Sequence, residues 1–173
     1  MGAEQHVIAA VGLGSNVGDR AAHLTHALIA LAGMPNTRLL VRSSIIQTDA
    51  VGAPGGGDPG GAYLNAAAIL RTTLEPRALL DCLHEIERTR GRDRAGEASR
   101  WLPRTLDLDL LLFGDRVLDE PGLVVPHPRM HEREFVLLPL AEVGPDLFVP
   151  TMRSSVADLL ARLKPGSIPK RKG

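Results

Sequence analysis

Two carboxylates in an apolar strand are the feature of this sequence that most directly indicates chemistry. Asp107 and Asp109 alternate with leucines in residues 106–113. Because side chains alternate across a strand, both aspartates lie on one face, roughly 7 Å apart, with leucines on the other. Like charges at that distance repel by about 2 kcal/mol at an effective dielectric of about 20. A divalent cation shared with a substrate's phosphates would turn this repulsion into attraction, and the plainer alternative is an edge strand with one solvated face.

Arginines crowd the segment that leads into this strand. A guanidinium group forms a planar fork of donors that matches phosphate oxygens. Gly91 and Gly96 interrupt the segment, so the chain can fold it over a bound polyphosphate, although such a cluster is ordinarily a solvated face. The arginines of this stretch are Arg88, Arg90, Arg92, Arg94, Arg100 and Arg104.

A resemblance to a known family rests on this region and on several others. Residues 100–113 read R-W-L-P-R-T-L-D-L-D-L-L-L-F, which resembles the signature of the 6-hydroxymethyl-7,8-dihydropterin pyrophosphokinase family of folate biosynthesis. One position departs from that signature, because Leu102 stands where the family usually has glycine. The other matching segments keep the family's order over roughly residues 7–150, and they are V-G-L-G-S-N at 11–16, Y-L-N-A-A at 63–67, G-R-D-R at 91–94, and V-P-H at 125–127 followed by Arg133 and Phe135.

The resemblance implies an enzyme with defined substrates. Members of this family transfer pyrophosphate from ATP to 6-hydroxymethyl-7,8-dihydropterin and release AMP. By the same resemblance the cofactor is Mg²⁺, as two ions held by Asp107 and Asp109, with ATP as co-substrate. The competing expectation is a catalytically impaired nucleotide- or pterin-binding homologue, which Leu102 supports. A pterin-binding partner subunit without ATP chemistry is disfavoured by the intact pair of aspartates.

The resemblance also implies roles for individual residues. A pterin is a flat polar ring system, so it needs aromatic rings on its faces and amide hydrogen bonds at its edge. Glu87 has an alternative as an exposed helix residue. Pro128 follows His127 where the family often has an aromatic residue, so an adenosine contact from that side chain is lost. The implied set is catalytic Arg92, Arg104, Asp107 and Asp109; ATP-binding Glu87, Arg94, Trp101, His127 and Arg133; and pterin-binding Thr48, Tyr63, Asn65 and Phe135.

Motif spacing excludes several other classes of protein. Every lysine lies at or beyond residue 164, so the body of the chain has no amine for a Walker A loop, a protein-kinase strand or a Schiff base. Val17 stands where a third glycine would complete a dinucleotide-binding motif. Pro128 would break the helix that a zinc-binding pair at His127 and His131 requires.

Composition predicts where the protein works and with what. A formal net charge of zero argues against a general nucleic-acid binder. No segment has the roughly 18 apolar residues of a membrane span, and no signal peptide is recognisable. We therefore expect a cytoplasmic monomer whose partners are small molecules, with no nucleic acid and no membrane. The single cysteine, Cys82, excludes an internal disulfide and lies in an apolar helical pattern that indicates a buried structural thiol.

Hydrophobic periodicity predicts an α+β fold. The order strand, helix, strand, strand, helix, strand is that of the ferredoxin-like split β-α-β core, with an antiparallel-rich sheet and helices packed on it. We expect a single domain at 1–164 and a polar, basic, disordered tail at 165–173. Glycine-rich stretches at 52–61 and 91–101 are candidate lids. The predicted elements are strands at 7–12, 39–48 and 63–72 and the aspartate strand, with helices from Asp19 to Gly33, from Pro76 to Arg90, at 136–143 and after Ser155.

Overall fold

Five strands form the central sheet of this protein. The structure is a computed structural model, and it describes residues 5–49, 61–91 and 104–163. The elements that build and first cover the sheet are β1 (Val7–Ser15), α1 (Arg20–Ala32), β2 (Thr37–Arg42), β3 (Ile46–Thr48), β4 (Tyr63–Thr72), α2 (Pro76–Arg88) and β5 (Asp107–Phe113).

The strand order confirms the predicted α+β fold. The main path of the sheet is β2-β4-β1-β5, β3 also pairs with β4, and all these pairs are antiparallel. This is the ferredoxin-like arrangement of two β-α-β units. Because β1 and β5 are neighbours, the glycine-containing end of β1 lies directly beside the aspartates of β5.

Two helices cover one face of this sheet. α1 begins after Asp19, whose Oδ1 accepts a hydrogen bond from the N–H of Ala22 (3.0 Å), and it ends at Gly33. α2 begins at Pro76, which suits a first turn because proline has no N–H to leave unsatisfied. The predicted apolar stripes are confirmed, and their fully buried side chains are Leu24, Ala27 and Leu31 in α1 with Leu79 and Leu83 in α2.

A second pair of helices covers part of the opposite face. These are α3 (Glu134–Val143), which begins two residues before the predicted start, and α4 (Val156–Arg162). As predicted, Ser155 caps α4, because its Oγ accepts a hydrogen bond from the N–H of Asp158 (3.1 Å). The apolar residues that pack with these helices on this face include Ala10, Ala67, Ile69, Leu111 and Leu112 of the sheet and Leu137 and Leu140 of α3.

The predicted strand at 39–48 is wrong in one respect, because it is two strands. Ser43 separates β2 from β3: its N–H donates to the carbonyl of Ala67 (2.8 Å), and its Oγ accepts from the N–H of Ala67 (2.9 Å). The hydroxyl thus takes the acceptor place that a strand carbonyl would fill. Hydrophobic alternation does not reveal such a substitution, since serine is also compatible with a continuous strand.

Two short hairpins add to the predicted elements. β6 (Leu118–Glu120) pairs with β7 (Leu123–Val125), and β8 (Phe148–Val149) pairs with β9 (Ser154–Ser155). Strands of two or three residues are too short to produce a periodic pattern. Among the described residues, no helix combines the length and the apolar composition needed to cross a membrane.

Several sequence-based predictions concern residues outside the described ranges. These are the roles of Arg92, Arg94 and Trp101, the effect of Leu102, nearly all of the two candidate lids, and the tail at 165–173.

Candidate active site

The two aspartates of β5 lie side by side on the face of the sheet opposite α1 and α2. The helix α3 covers only part of this face and leaves the aspartates partly exposed. Asp107 is opposite Gly14 and Asp109 is opposite Gly12 in the β1–β5 register. Both aspartates are partly buried, while Leu108 between them is buried on the α1/α2 face. The predicted separation of carboxylates and leucines onto opposite faces is therefore confirmed.

Gly14 forms the floor of a gap between two groups of polar side chains. A Cβ atom at this position would lie 3.4 Å from Oδ1 of Asn65, 3.9 Å from Cδ1 of Tyr63 and 4.0 Å from Cβ of Asp107. The end of β4 and the end of β5 therefore meet across this glycine. The absence of a side chain at Gly14 leaves open space above the floor, between the amide of Asn65 and the carboxylate of Asp107.

The carboxylate pair is electrostatically strained in the absence of a cation. Burial, and next the negative charge of Asp107, raise the pKa of Asp109 to about 7, while the positive charges of Arg133 and Arg104 act in the opposite direction. Nη1 of Arg104 contacts Oδ2 of Asp107 at 2.7 Å. These two arginines reduce the repulsion without removing it, and a bound cation would favour the ionised form of both aspartates.

Glu87 holds the aspartate strand from its outer edge. Its side chain is fully buried, and its Oε1 accepts a hydrogen bond from the N–H of Leu108 (2.7 Å), the residue between the two aspartates. The alternative of an exposed helix residue is therefore wrong, whereas the ATP contact stays a prediction. A signal was available in the sequence, because Leu79, Leu83 and Glu87 are spaced by four and continue one buried helical stripe.

The surroundings of His127 favour the neutral form of its imidazole. Burial, and next the charge of Arg133, lower the pKa of His127 to about 4. Its Nδ1 accepts a hydrogen bond from the backbone N–H of Arg129 (3.2 Å), so the ring proton of the neutral form lies on Nε2. The backbone N–H of His127 donates to the carbonyl of Leu111 in β5 (2.9 Å), which fixes the histidine beside the aspartate strand.

Arg133 links the histidine to the metal-ligand candidates. Its charge lowers the pKa of both His127 and Asp109, so it lies near both groups. Its guanidinium carbon also lies 5.8 Å from the centre of the Phe135 ring, within range of a cation–π contact. Both residues belong to the ATP-binding set that the resemblance implies, and the lowered pKa of His127 favours one cation, Arg133, beside one neutral imidazole.

Three of the four residues predicted to bind the pterin lie together, at the end of β3 and the start of β4. Nδ2 of Asn65 donates to Oγ1 of Thr48 (2.9 Å), and both residues are buried. Thr48 is also opposite Tyr63 in the β3–β4 register. The structure therefore brings Thr48, Tyr63 and Asn65 into one group, next to the aspartates, while their contact with a pterin stays a prediction.

Removing the charge of Asp109 should stabilise the folded protein at high pH. The folded-state pKa of about 7 lies above an unfolded value of about 3.9, so the folded state loses stability as the pH rises between these values. We expect Asp109→Asn to increase the free energy of unfolding by on the order of 1 kcal/mol at about pH 8, and much less at about pH 4. Urea denaturation without divalent cations measures this difference. The exposed Asp115→Asn is the control, and an equal effect of Asp109→Asn at both pH values would contradict the assignment.

Comparisons with known proteins agree with this geometry. The family model described as 7,8-dihydro-6-hydroxymethylpterin-pyrophosphokinase (HPPK) matches residues 10–145. A 2-amino-4-hydroxy-6-hydroxymethyldihydropteridine pyrophosphokinase of Pseudomonas aeruginosa is 44% identical over 151 residues, covering 87% of this chain and 88% of that protein. The Bacillus subtilis protein of the same name is 43% identical over 136 residues, covering 79% of this chain and 77% of that protein.

Solved structures share the fold at low sequence identity. An HPPK-DHPS in complex with substrates has a TM-score of 0.67 and 13% identity, and the match covers 91% of this chain and 43% of that chain. Wild-type Plasmodium falciparum HPPK-DHPS has a TM-score of 0.66 and 12% identity, with coverage of 91% and 44%. This chain thus spans less than half of those longer chains. The matches to the family model and to its bacterial relatives show that the chain belongs to the 7,8-dihydro-6-hydroxymethylpterin-pyrophosphokinase family.

Proposed function

We propose that this protein transfers pyrophosphate from ATP to the hydroxymethyl oxygen of 6-hydroxymethyl-7,8-dihydropterin and releases AMP, a step of folate biosynthesis. The observation that carries the proposal is the position of Gly14, which lies between the aspartate pair on one side and Asn65 with Tyr63 on the other. Gly14 has no side chain to fill the space between these two groups. An enzyme that transfers a group from a polyphosphate to a heterocyclic alcohol needs a part of the site that binds phosphate and metal directly next to a part that binds the ring. The bacterial relatives, which are named as pyrophosphokinases of this pterin, support the same activity.

Thr48, Tyr63, Asn65 and Phe135 would bind the pterin. Because Thr48 accepts one amide hydrogen of Asn65, the amide is held with its Oδ1 beside the open position at Gly14. That oxygen is suited to accept an N–H from the edge of the pterin ring. Tyr63 and Phe135 would contact the ring faces, and their apolar surfaces would exclude water from them.

Asp107 and Asp109 fit a magnesium site. Their oxygens are hard ligands, and burial, followed by the negative charge of Asp107, raises the pKa of Asp109, a cost that a bound cation would relieve. Within residues 5–49, 61–91 and 104–163, no group of three His, Cys, Asp or Glu side chains could hold a metal, so phosphate oxygens and water would complete the coordination. Two bound Mg²⁺ ions would neutralise phosphate charge and polarise the phosphorus under attack.

The remaining residues would position the reactants and stabilise charge. The hydroxymethyl oxygen would bond to the β-phosphorus and release its proton to a phosphate oxygen or to water. The bond from that phosphorus to the oxygen bridging to the α-phosphate would break, and AMP would leave with that oxygen. Arg104 and Arg133 would interact with the phosphate oxygens, together with Arg92, Arg94 and Trp101 from the segment outside the described ranges. Because this chemistry requires little covalent help, alignment and electrostatics account for most of the rate.

His127 would donate Nε2–H to a phosphate oxygen as a neutral imidazole. This role follows from its lowered pKa and from Nδ1 accepting the Arg129 N–H. A neutral donor still gains from a negatively charged acceptor, because charge-assisted hydrogen bonds are about twice as strong as neutral ones. Glu87 would then act on ATP through the strand that it holds, in addition to any direct contact.

The competing function is that of an impaired homologue that binds nucleotide or pterin without transfer. The intact aspartate pair and the Arg104–Asp107 contact favour an active enzyme. We further propose that it works as a cytoplasmic monomer without nucleic-acid or membrane partners. Incubation with ATP, Mg²⁺ and the pterin alcohol should yield AMP and the pterin diphosphate in equal amounts, separated by chromatography. ATP turnover that does not depend on the pterin, or no AMP at all, would refute the proposed transfer.

Loss of either aspartate charge should abolish most of the activity without unfolding the protein. We expect Asp107→Asn and Asp109→Asn each to lower kcat by at least about a hundredfold, because each removes ligand charge from the cation. Steady-state AMP formation at saturating Mg²⁺ measures this, with Asp115→Asn as the matched control. Activity of either site variant within about tenfold of the parent would overturn the metal assignment.

A methyl group at Gly14 should interfere with the pterin. Gly14→Ala places Cβ 3.4 Å from Oδ1 of Asn65, which intrudes on the amide that would read the pterin edge. We expect its KM for the pterin to rise by about tenfold, an effect on the scale of one lost hydrogen bond. Gly12→Ala is the matched control, because the three atoms nearest to its Cβ would all belong to the apolar Leu111 side chain, the first at 3.4 Å. If both variants shift the pterin KM equally, the pterin does not lie over Gly14.

The neutral state of His127 predicts a particular pH profile. With a pKa of about 4, His127 does not titrate between about pH 6 and 8 in the free enzyme, so it adds no limb to the profile of kcat/KM for ATP there. We expect His127→Gln, which keeps an N–H donor, to retain more activity than His127→Ala and to leave the profile's shape unchanged. An acidic limb present in the parent and missing from His127→Gln would instead identify a cationic histidine.

A further inference from the structure

The end of β1 and the turn that follows it contain two buried polar residues, Ser15 and Asn16, that the mechanism has not used. Ser15 is fully buried and Asn16 is 3% exposed. Oδ1 of Asn16 accepts a hydrogen bond from the backbone N–H of Arg104 (2.7 Å), and the N–H of Asn16 donates to the carbonyl of Arg104 (3.1 Å). Oγ of Ser15 donates to the carbonyl of Thr105 (2.5 Å). Three hydrogen bonds therefore fasten this turn to residues 104–105.

These three hydrogen bonds continue the contact between the β1 end and the segment before β5 beyond the regular β1–β5 pairing. The β1–β5 pairing ends at Gly14 and Asp107. Arg104 lies three residues before that point, immediately after a segment outside the described ranges, and β5 begins only at Asp107. Asn16 thus supplies both a donor and an acceptor to the backbone of Arg104, as a neighbouring strand would do.

The residue that Asn16 holds is the one that contacts the metal-ligand candidate. Nη1 of Arg104 lies 2.7 Å from Oδ2 of Asp107, and both side chains are largely buried, with 19% and 17% exposure. An arginine side chain has many rotamers, so its contact with Asp107 is reproducible only if its backbone is fixed. A displacement of about 1 Å at such a group can cost about a hundredfold in rate.

We infer that Asn16 is a positioning residue for pyrophosphate transfer, which acts by fixing the backbone of Arg104 so that its guanidinium spans Asp107 and the transferring phosphate. This inference rests on the proposed function. It predicts that the effect of Asn16 passes through Arg104. A merely structural asparagine would instead lower stability and activity regardless of what residue 104 carries.

A double-mutant cycle separates these two roles. We expect Asn16→Ala to lower kcat by about thirty- to a hundredfold, with the KM values for ATP and pterin changing by less than about threefold. In an Arg104→Gln background the same substitution should lower kcat by less than about threefold, because the group it positions is already gone. Equal losses in the two backgrounds would overturn the inference.

Three further variants serve as controls in the same experiment. Asn16→Asp keeps an acceptor for the Arg104 N–H, so it should recover activity to within about tenfold of the parent, whereas a variant no better than Asn16→Ala would argue against the acceptor role. Ser15→Ala should lower kcat less than Asn16→Ala, because the bond that it removes ends on Thr105, whereas the bond that Asn16→Ala removes ends on Arg104 itself. Ser154→Ala is the matched control, since Ser154 is buried but its Oγ has no hydrogen-bond partner, and it should change nothing.

An observable independent of turnover distinguishes failure of this inference from failure of the proposed function. In the parent, the guanidinium group of Arg104 should rotate slowly, so its ¹⁵N–¹H resonances should be resolved from one another. In Asn16→Ala the rotation should be faster and the resonances should average, and in Asn16→Asp they should again be resolved. If the parent forms no AMP but these resonances behave as expected, the activity is wrong and the positioning is right. If the resonances of Asn16→Ala match those of the parent, Asn16 does not position Arg104, even if kcat falls.

Discussion

The repulsion between Asp107 and Asp109 is the constraint on which the rest of the site depends. Two partly buried carboxylates on one strand face are unfavourable, and the raised pKa of Asp109 records that cost. The strand stays in place because it is hydrogen-bonded on both edges, by β1 on one side and by Glu87 on the other. The fold therefore contributes rigidity where the charges alone would push the chain apart, and the site proposed for the cation is already assembled without it.

Glycine opposite each aspartate is the second requirement of this arrangement. Gly12 and Gly14 are opposite Asp109 and Asp107 in the β1–β5 pairing, so β1 places no side chain of its own beside either carboxylate. Glycine weakens a strand interior, which is a cost of roughly 0.5–1 kcal/mol at each position. The buried leucines of β5 on the opposite face offset this cost, because they join the core beneath α1 and α2.

Much of this organisation is predictable from sequence because it follows from short-range periodicity. The period of two placed Asp107 and Asp109 on one face, and helical spacing placed Leu24 and Leu83 in the core. Periodicity describes one element at a time, so it could not show that Glu87 reaches the N–H of Leu108 or that Arg133 lowers the pKa of His127. The first contact joins residues that are 21 positions apart, and the lowered pKa of His127 depends first on burial, which no local pattern encodes. The family resemblance named His127 and Arg133 but not their charge states.

The charge states of the basic groups follow from how they are packed together. His127, Arg133 and Arg129 lie close enough that full protonation would place three cations around one small volume, and burial makes that unfavourable. The imidazole is the group that loses its proton, because an arginine keeps its proton at any physiological pH. The site thus keeps its positive charge on guanidinium groups, whose geometry matches that of phosphate, beside a neutral imidazole whose Nδ1 accepts a hydrogen bond from the backbone. A bound polyphosphate would raise the pKa of His127 again, so protonation and nucleotide binding are coupled through this residue.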